Sequence, residues 1–316
     1  MRNFTSIRDV ENVNKLINEA ITLKVNPFAF ENLGKRKTLG LIFLNPSLRT
    51  RISTQKAANN LGMSTMVMNL DKEGWALETE DGVVMNGTKV EHIKEAAAVL
   101  GQYCDIIGIR SFPKLENKEE DYSENILKKM ISYTGTPIIS LETATRHPLQ
   151  SLADLMTIKE LSPNRRPKVV LTWAPHIKPL PQAVPNSFAE WMSAADVDFV
   201  ITHPKGYELA NEFTPGVEIT DDQDTALRDA DFVYVKNWSS YNNYGKIVST
   251  DKNWMLTNKK LYNTGNARVM HCLPVRRDVE LASEVLDGQN SIVIQQAGNR
   301  VFAAQAVLKN IIENNF

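Results

Sequence analysis

Short apolar runs alternate with helix-like segments along both halves of the chain, and this alternation is the feature that most constrains the fold. Residues 38–44 form a continuous apolar run, typical of a strand buried on both faces of a parallel sheet. The segment 51–61 that follows has a helical pattern and is stopped by Gly62. Strands that alternate with helices predict a parallel sheet covered by helices. At roughly 150 residues per domain, a chain of 316 residues is long enough for two such α/β domains.

The same alternation predicts the elements along the rest of the chain. Strands are expected at 65–70, 105–109, 137–141, 168–173, 198–202, 232–235, 268–272 and 291–294. Helices are expected at 12–23, 91–103, 123–133, 148–161, 187–195, 222–229 and 301–312. Two prolines and an asparagine make 163–167 the predicted linker between the halves. Four prolines between 175 and 185 argue against a helix or an inner strand and predict a stiff loop.

Charge, cysteine and motif content exclude several classes of protein. Lys and Arg total 36 against 37 for Asp and Glu, so the net charge of −1 argues against a protein that binds nucleic acid or membranes electrostatically. The two cysteines, Cys104 and Cys272, are too few for a disulfide framework, and the N-terminus lacks a signal-peptide core, so a cytoplasmic location is expected. No dinucleotide-binding glycine motif, P-loop or histidine pair with metal-ligand spacing occurs. We therefore expect no cofactor, no metal, no nucleic acid and no membrane partner.

A segment rich in arginine and hydroxyl groups, Ser47-Leu48-Arg49-Thr50-Arg51, follows the first predicted strand and opens a helix. A helix N-terminus presents unpaired N–H groups and the positive end of the helix dipole, and two arginines add charge-assisted donors. The segment therefore predicts an anion site. A solvated basic turn with Ser47 or Thr50 as the N-cap is the structural alternative.

Two further polar groups follow predicted strands of the first half. His147-Pro148-Leu149-Gln150 opens a helix with a proline in its first turn, and Arg110 follows the strand 105–109. The C-terminal ends of parallel strands meet at one edge of a sheet, where α/β proteins bind ligands. There His147 would donate to a carbonyl oxygen and Gln150 would recognise an amide, although a helix-capping histidine is the commoner explanation of such a tetrapeptide.

In the second half, polar residues gather after the strand predicted at 268–272. His271-Cys272-Leu273-Pro274 lies at the end of this strand, and Arg276 comes two residues later. A buried cysteine beside a turn proline is the structural alternative for this motif. Asn299 and Arg300 stand at the start of the last predicted helix.

In this order, and over nearly the whole chain, the four motifs resemble those of the aspartate/ornithine carbamoyltransferase family. The matching segments are 47–51, 147–150, 271–274 and 299–300. Each motif alone is weak, but four in the family's order are specific. The resemblance implies an enzyme that transfers a carbamoyl group from carbamoyl phosphate to an amine, through positioning and charge stabilisation. The non-enzymatic alternative, a two-domain protein that binds a small anion, would need export and a signal peptide.

The resemblance also implies a role for each matching residue. Arg110, His147 and Cys272 are the expected catalytic residues, and Cys272 lies beside the attacking nitrogen rather than acting as a covalent nucleophile. The residues expected to contact carbamoyl phosphate are Ser47, Leu48, Arg49, Thr50, Trp75, Arg110, His147, Gln150, Cys272, Leu273 and Arg300. Those expected to contact the second substrate are Val90, Glu142, His176, Lys236, Leu273 and Arg276.

A departure from the family's pattern indicates the nature of the second substrate. Enzymes for free ornithine carry Ser-Met-Gly where this chain has Val235-Lys236-Asn237-Trp238. A lysine would repel a free α-ammonium group but suits an α-nitrogen that is acylated. Together with the proline-rich loop and Trp75, this favours the acylornithine branch of the family over enzymes for free ornithine. The His-Cys-Leu-Pro motif argues against an aspartate enzyme.

The charge of one side chain distinguishes enzymes for the two acyl groups, because succinyl ends in a carboxylate and acetyl does not. Acetyl-type enzymes look to have glutamate at the end of the loop 71–90 and succinyl-type enzymes proline, whereas this chain has Val90, with Glu91 next to it. A buried glutamate would be costly beside a succinyl carboxylate, and valine would not. N-succinylornithine is therefore the favoured substrate and N-acetylornithine the alternative.

The architecture implied by the resemblance is two parallel-sheet α/β domains with the active site in the cleft between them. Residues 1–150, completed by the C-terminal helix 301–316, would bind carbamoyl phosphate, and residues 151–300 the acylornithine. A homotrimer with shared active sites is expected, because the loop 71–90 would carry Trp75 into a neighbour's site. In the acylornithine branch the proline-rich loop is associated with a knotted chain, although knots are rare in proteins.

Overall fold

Parallel strands form the two main sheets of the protein. The computed structural model describes residues 1–162 and 165–316. The strands are β1 (Thr38–Phe43), β2 (Ser64–Asn69), β3 (Leu77–Glu78), β4 (Glu91–His92), β5 (Ile106–Arg110), β6 (Ile138–Glu142), β7 (Lys168–Trp173), β8 (Asp198–Thr202), β9 (Glu218–Thr220), β10 (Phe232–Lys236) and β11 (Arg268–Met270).

Helices connect most of these strands. They are α1 (Val13–Val25), α2 (Leu48–Asn60), α3 (Leu70–Glu73), α4 (Ile93–Tyr103), α5 (Lys118–Tyr122), α6 (Asn125–Thr134), α7 (Pro148–Leu161), α8 (Ala183–Ser193), α9 (Gln223–Leu227), α10 (Asn258–Leu261), α11 (Ser283–Leu286) and α12 (Val293–Asn315). Across the described residues, every helix is too short or too polar to cross a membrane.

The chain divides into two units. Unit 1 comprises residues 1–114, 119–149 and 300–316, and unit 2 comprises residues 115–118 and 150–299. Each unit contains one main parallel sheet, so the predicted α/β class with two parallel-sheet domains is confirmed. The predicted domain boundaries and the knotted chain stay predictions.

Unit 1 is built on four strands in the order β2-β1-β5-β6, and every neighbouring pair is parallel. Both β5 and β6 are buried at every residue, as their mostly apolar sequences predict, and each ends in a buried charged residue, Arg110 and Glu142. Apolar residues of α4 and α6 pack against this sheet in one cluster. Gly101 permits the two helices to approach, because a Cβ there would overlap the Thr134 carbonyl oxygen. This packing compensates for the cost of a helical glycine, about 1 kcal/mol relative to alanine.

The C-terminal part of α12 belongs to unit 1. Its Gln305 accepts a hydrogen bond from Asn60 Nδ2 at 2.9 Å and donates to the Pro27 carbonyl oxygen at 2.7 Å. Both side chains are buried, so the Asn60 Nδ2 donor and the Gln305 Oε1 acceptor satisfy each other. The helix thereby joins the core of the unit that also contains the N-terminus.

Unit 2 is built on five strands in the order β11-β10-β7-β8-β9. Its neighbouring pairs are all parallel. Large aromatic side chains fill the region beside β7, where the ring centroids of Trp173 and Tyr207 lie 4.6 Å apart. The indole N–H of Trp173 donates to the Trp238 carbonyl oxygen at 3.0 Å, which satisfies its only polar atom in the core.

The last part of the chain differs from the sequence-based prediction. The strand predicted at 291–294 is wrong: only Ser291 bridges Val269, and α12 already begins at Val293. A short apolar run does not distinguish a strand from a buried helix. As a result, Arg300 lies inside α12, one turn or more beyond its first residue, and not at the start of the last helix.

Three other segments can be compared with the sequence-based predictions. The proline-rich stretch is irregular up to 182, but α8 begins at Ala183 and holds Pro185 in its first turn, where proline is tolerated. Strand β9 was not predicted, since it has only three residues and is largely exposed. The predicted linker 163–167 includes Pro163 and Asn164, which lie outside the described residues.

Candidate active site

Three adjacent strands of unit 1 end at the same edge of its sheet. The chain leaves β1 into Ser47 and α2, Arg110 is the last residue of β5, and β6 leads to His147. Because β1, β5 and β6 are parallel neighbours, the segments that follow them meet at one edge. This is the arrangement that the sequence predicted for its arginine and histidine residues.

The N-terminus of α2 has the geometry of an anion-binding site. Ser47 is the N-cap with extended backbone, and within the described residues its side chain makes no capping hydrogen bond. The next residues, Leu48 and Arg49, contribute first-turn N–H groups, and the Leu48 side chain is exposed. Thr50 is buried, and its hydroxyl accepts a hydrogen bond from Arg300 Nη2 at 2.6 Å. A 13-residue helix and two arginines therefore direct positive potential to this point.

His147 lies among three guanidinium groups. Burial, followed by the charges of Arg300, Arg110 and Arg49, lowers its pKa well below the usual value. The side chain is almost fully buried. His147 is therefore neutral at physiological pH, and three arginines around one imidazole suit an anion with several oxygens.

A single carboxylate, Glu142 at the end of β6, lies against two of these groups. It accepts a hydrogen bond from Arg110 Nη1, and its Oε2 is 3.5 Å from His147 Nε2. All three side chains are buried. The ion pair with Glu142 restricts the orientation of the Arg110 guanidinium. The structure thus places Glu142 beside the residues expected at carbamoyl phosphate; its assignment to the second substrate stays a prediction.

The loop between α3 and α4 carries Trp75 and Val90. The short parallel pair β3–β4 closes its base. Trp75 Nε1 donates to Glu91 Oε2 at 2.9 Å, although the indole ring is 54% exposed. Val90 is 66% exposed. The structure therefore presents both predicted site residues on the surface of unit 1.

The second sheet gathers its polar residues in the same way. His176 follows β7, Lys236 is the last residue of β10, and His271 follows β11. These three strands are parallel neighbours, so the segments after them lie at one edge. Lys236 is buried at that edge, which is unusual for a lysine and typical of a functional site.

Arg276 reaches His176 from the segment after the His-Cys-Leu-Pro motif. Its Nε donates to His176 Nε2 at 3.1 Å, and the His176 Nδ1 faces the Lys178 carbonyl oxygen at 2.8 Å. Burial is the main cause that lowers the pKa of His176, and the charges of Lys236 and Arg276 lower it further. A neutral imidazole thus accepts from Arg276 and orients the guanidinium.

Glu280 is a buried carboxylate of this cluster that sequence reasoning missed. It is 1% exposed, accepts from the Arg276 backbone N–H at 2.8 Å, and its Oε1 lies 3.6 Å from His271 Nε2. Burial raises the pKa of Glu280, but His271, Lys236 and the Arg276 N–H lower it more, to about 2. The Leu273 N–H donates to His271 Nδ1 at 2.8 Å, so Nε2 carries the imidazole proton and faces this carboxylate.

The depressed pKa of Glu280 gives an expected pH dependence of stability. A carboxyl whose pKa falls from 4.5 to about 2 on folding stabilises the native state above pH 4.5 and loses this contribution as the pH falls toward 2. By linkage the contribution is about 3 kcal/mol. Urea unfolding should therefore show that Glu280→Gln lowers the free energy of unfolding most strongly above pH 4.5. The difference in the free energy of unfolding between the variant and wild type should become smaller as the pH falls toward 2. The exposed Glu284 provides the control Glu284→Gln; a Glu280→Gln difference that is constant with pH would contradict the pairing.

The His-Cys-Leu-Pro segment has a constrained backbone. Leu273 has φ 55°, a left-handed conformation that is uncommon outside glycine and is often found at functional sites. Cys272 is buried next to it, and Leu273 is partly exposed. The backbone carbonyl groups of this turn are therefore held in one orientation.

Gln150 lies in α7, in unit 2, where its Nε2 donates to Asp154 Oδ1 at 2.7 Å. Unit 1 thus brings Arg49, Thr50, Arg110, Glu142, His147 and Arg300 together, and unit 2 brings together His176, Lys236, Arg276 and the segment after β11. Among the described residues, no group of three or more His, Cys, Asp or Glu side chains could hold a metal ion.

Two family models match the chain. Residues 2–160 match the model described as aspartate/ornithine carbamoyltransferase, carbamoyl-P binding domain. Residues 181–311 match the model described as aspartate/ornithine carbamoyltransferase, Asp/Orn binding domain. The order of the two models is that of the motifs in the sequence.

Individual relatives are similar over almost their whole length. The chain is 52% identical over 315 residues to N-succinylornithine carbamoyltransferase of Bacteroides thetaiotaomicron, with 99% of each protein covered. It is 34% identical over 331 residues to N-acetylornithine carbamoyltransferase of Xylella fastidiosa, with 98% of each covered. A solved structure of an N-acetyl-L-ornithine transcarbamylase mutant, in which one glutamate is replaced by valine, is complexed with carbamyl phosphate and N-succinyl-L-norvaline. It has a TM-score of 0.92 and 32% identity, covering 98% of this chain and 100% of that one.

Proposed function

Because the chain belongs to the aspartate/ornithine carbamoyltransferase family, we propose that it transfers the carbamoyl group of carbamoyl phosphate to the δ-amino group of N-succinyl-L-ornithine. The products are N-succinyl-L-citrulline and phosphate, in arginine biosynthesis. The observation that carries the proposal is the convergence of Arg49, Arg110 and Arg300 on a neutral His147 beside the α2 N-terminus. The higher identity to a succinylornithine enzyme than to acetylornithine enzymes supports the choice of substrate.

The residues of unit 1 would bind the phosphate and polarise the carbamoyl group. The first N–H groups of α2, with Ser47, Arg49 and Thr50, suit the phosphate oxygens. Arg110 and His147, oriented by Glu142, suit the carbamoyl oxygen, where negative charge develops as the amine attacks. A C–N bond forms between the δ-nitrogen and the carbamoyl carbon, and the bond from that carbon to the phosphate oxygen breaks. The phosphate leaves with the electron pair and takes up the proton that the δ-nitrogen loses. Fixed donors of this kind act without a covalent enzyme intermediate.

The residues of unit 2 would bind the acylornithine. Lys236 and Arg276 are the cations suited to its carboxylates, and His176 orients Arg276. The buried Lys236 ammonium would disfavour a substrate with a free α-ammonium group. Gln150 is assigned to the carbamoyl amide, and the carbonyl groups of Cys272 and Leu273 to the NH₂ groups.

Val90 is the residue we assign to the choice between the acyl groups. Glutamate at this position would bring a second negative charge to a succinyl carboxylate, whereas valine adds none. The acetylornithine enzyme that carries valine in place of one glutamate, and is complexed with N-succinyl-L-norvaline, supports this argument. The proposal includes a homotrimer, in which Trp75 and Val90 act in a neighbouring active site. The cytoplasmic location stays a prediction.

Val90→Glu is expected to shift the preference toward N-acetyl-L-ornithine. The added carboxylate should lower kcat/KM for N-succinyl-L-ornithine by about tenfold or more and leave that for N-acetyl-L-ornithine largely unchanged. Val84→Glu is the matched control, because Val84 is an exposed valine of the same loop. Equal effects of the two variants would contradict the role of Val90.

The proposed reaction is tested by phosphate release from carbamoyl phosphate, with and without each acylornithine. Phosphate release that depends on N-succinyl-L-ornithine supports the proposal. Formation of N-succinyl-L-citrulline demonstrates that the carbamoyl group is transferred. Binding of carbamoyl phosphate without release under any condition would instead indicate a protein that only binds a small anion.

A further inference from the structure

A buried carboxylate in α7 connects two of the candidate motifs within unit 2. Asp154 is 0% exposed, and its Oδ1 accepts hydrogen bonds from Gln150 Nε2 and from Gln296 Nε2, each at 2.7 Å. Gln150 and Asp154 are four residues apart on α7, the spacing that places side chains on one helix face. Gln296 comes from α12.

Gln296 continues the connection to the second motif. Its Oε1 accepts a hydrogen bond from the His271 backbone N–H at 2.9 Å. His271 directly precedes Cys272 and Leu273, and its Nδ1 accepts from the Leu273 N–H. Gln150, Asp154, Gln296 and the following turn thus form a continuous chain of hydrogen bonds, and the three side chains are almost completely buried.

The chemistry of a carboxylate determines how both amides are turned. A carboxylate only accepts hydrogen bonds, whereas a glutamine amide offers NH₂ at one end and a carbonyl oxygen at the other. Facing Asp154, each glutamine must present its NH₂, so its other end is an acceptor.

We propose that Asp154 is a positioning residue that sets the polarity of two amides for the reaction. It turns Gln150 so that Oε1 is the acceptor for the carbamoyl NH₂ group, and it turns Gln296 so that Oε1 holds the backbone ahead of Cys272. The inference rests on the proposed function, in which Gln150 contacts the carbamoyl amide. Discrimination between a carbamoyl and an acetyl group, which differ by NH₂ against CH₃, therefore depends on a residue that is one helical turn away from the amide itself.

The test is the ratio of the dissociation constants of acetyl phosphate and carbamoyl phosphate, measured with the full chain. In wild type, the hydrogen bond to NH₂ should give a preference for carbamoyl phosphate of about tenfold or more. Asp154→Asn keeps the volume but offers an NH₂ of its own, so either glutamine can turn over. We expect the ratio to fall toward that of Gln150→Met, which lacks the acceptor. In the Gln150→Met background, Asp154→Asn should change the ratio little further, since both act through one contact.

Thr157→Val is the matched control. Thr157 is buried on the same helix and accepts from Asn299 Nδ2 of α12 at 2.8 Å. Its loss weakens the same helix pair without touching either amide, so the ratio should stay at the wild-type value. A folded Asp154→Asn protein with a wild-type ratio would overturn the proposal.

A second variant keeps the proposal testable if Asp154→Asn does not fold. Gln296→Met retains the Gln150–Asp154 pair but removes the contact to His271. It should keep the ratio and lower kcat with the acylornithine by about tenfold, whereas Gln150→Met should lower the ratio. If the two variants do not differ in this way, the roles assigned to Gln150 and Gln296 are wrong. A wild-type protein with no preference for carbamoyl phosphate would refute the contact between Gln150 and the carbamoyl NH₂ group, and with it this inference. Absence of phosphate release with either acylornithine would instead refute the proposed function.

Discussion

Replacing Arg49 with alanine is expected to weaken the binding of carbamoyl phosphate by about 100-fold. Arg49 lies in the first turn of α2, and its charge contributes to the lowered pKa of His147, so it is close to the other cations of the pocket. Its removal takes away a charge-assisted donor at a point where the helix dipole already favours an anion. Because a hydrogen bond to a charged group is stronger than one between neutral groups, its loss is expected to lower the affinity for carbamoyl phosphate about 100-fold.

Calorimetric titration with carbamoyl phosphate measures this effect directly. Lys56→Ala is the matched control, because Lys56 is an exposed cation of the same helix, well beyond its first turn. It should bind carbamoyl phosphate like wild type. Intact binding in Arg49→Ala would contradict the assignment of the α2 N-terminus to the phosphate.

The second large effect is expected for His147→Ala. The imidazole is buried among Arg49, Arg110 and Arg300, and it lies 3.5 Å from the Glu142 carboxylate that also holds Arg110. Removing it takes a donor from the carbamoyl oxygen and a neighbouring group from the Glu142 carboxylate. Loss of one donor at a developing oxyanion lowers kcat by about 10²- to 10³-fold.

The lowered pKa of His147 adds a condition on the pH profile. The wild-type kcat should show no titration of a histidine between about pH 6 and 8, since the arginines and burial keep the imidazole neutral there. His203→Ala serves as the control, because His203 is also buried and burial also lowers its pKa, but it lies outside the candidate site. A His147→Ala enzyme with nearly wild-type kcat would contradict the proposal that His147 stabilises the transition state.

Much of the fold follows from local sequence patterns. The strands 168–173 and 198–202 were predicted with the bounds that the structure has, because a buried parallel strand is a continuous apolar run. Their parallel direction then places the residues after β1, β5 and β6 at one edge. The start of α12 could not be predicted in this way, because the run 291–294 suits a strand and a buried helix equally well.

The residues that support the candidate site were harder to predict than those that form it. Gln150 and Asp154 are spaced for one helix face, so the sequence did contain a signal for this pair. No such signal marks Glu280, whose approach to His271 depends on how the turn after β11 folds back. The contacts of Glu142 with Arg110 and His147 likewise depend on the tertiary structure, so the sequence did not predict them. Its assignment to the second substrate, which the family resemblance implies, stays a prediction.

The substrate preference is the most direct test of the proposed function. The measurement is kcat/KM for N-succinyl-L-ornithine and for N-acetyl-L-ornithine, with the same enzyme and saturating carbamoyl phosphate. We expect faster use of N-succinyl-L-ornithine, because Val90 places no negative charge beside the succinyl carboxylate and Lys236 and Arg276 supply cations for the substrate carboxylates. Equal or faster use of N-acetyl-L-ornithine would contradict it.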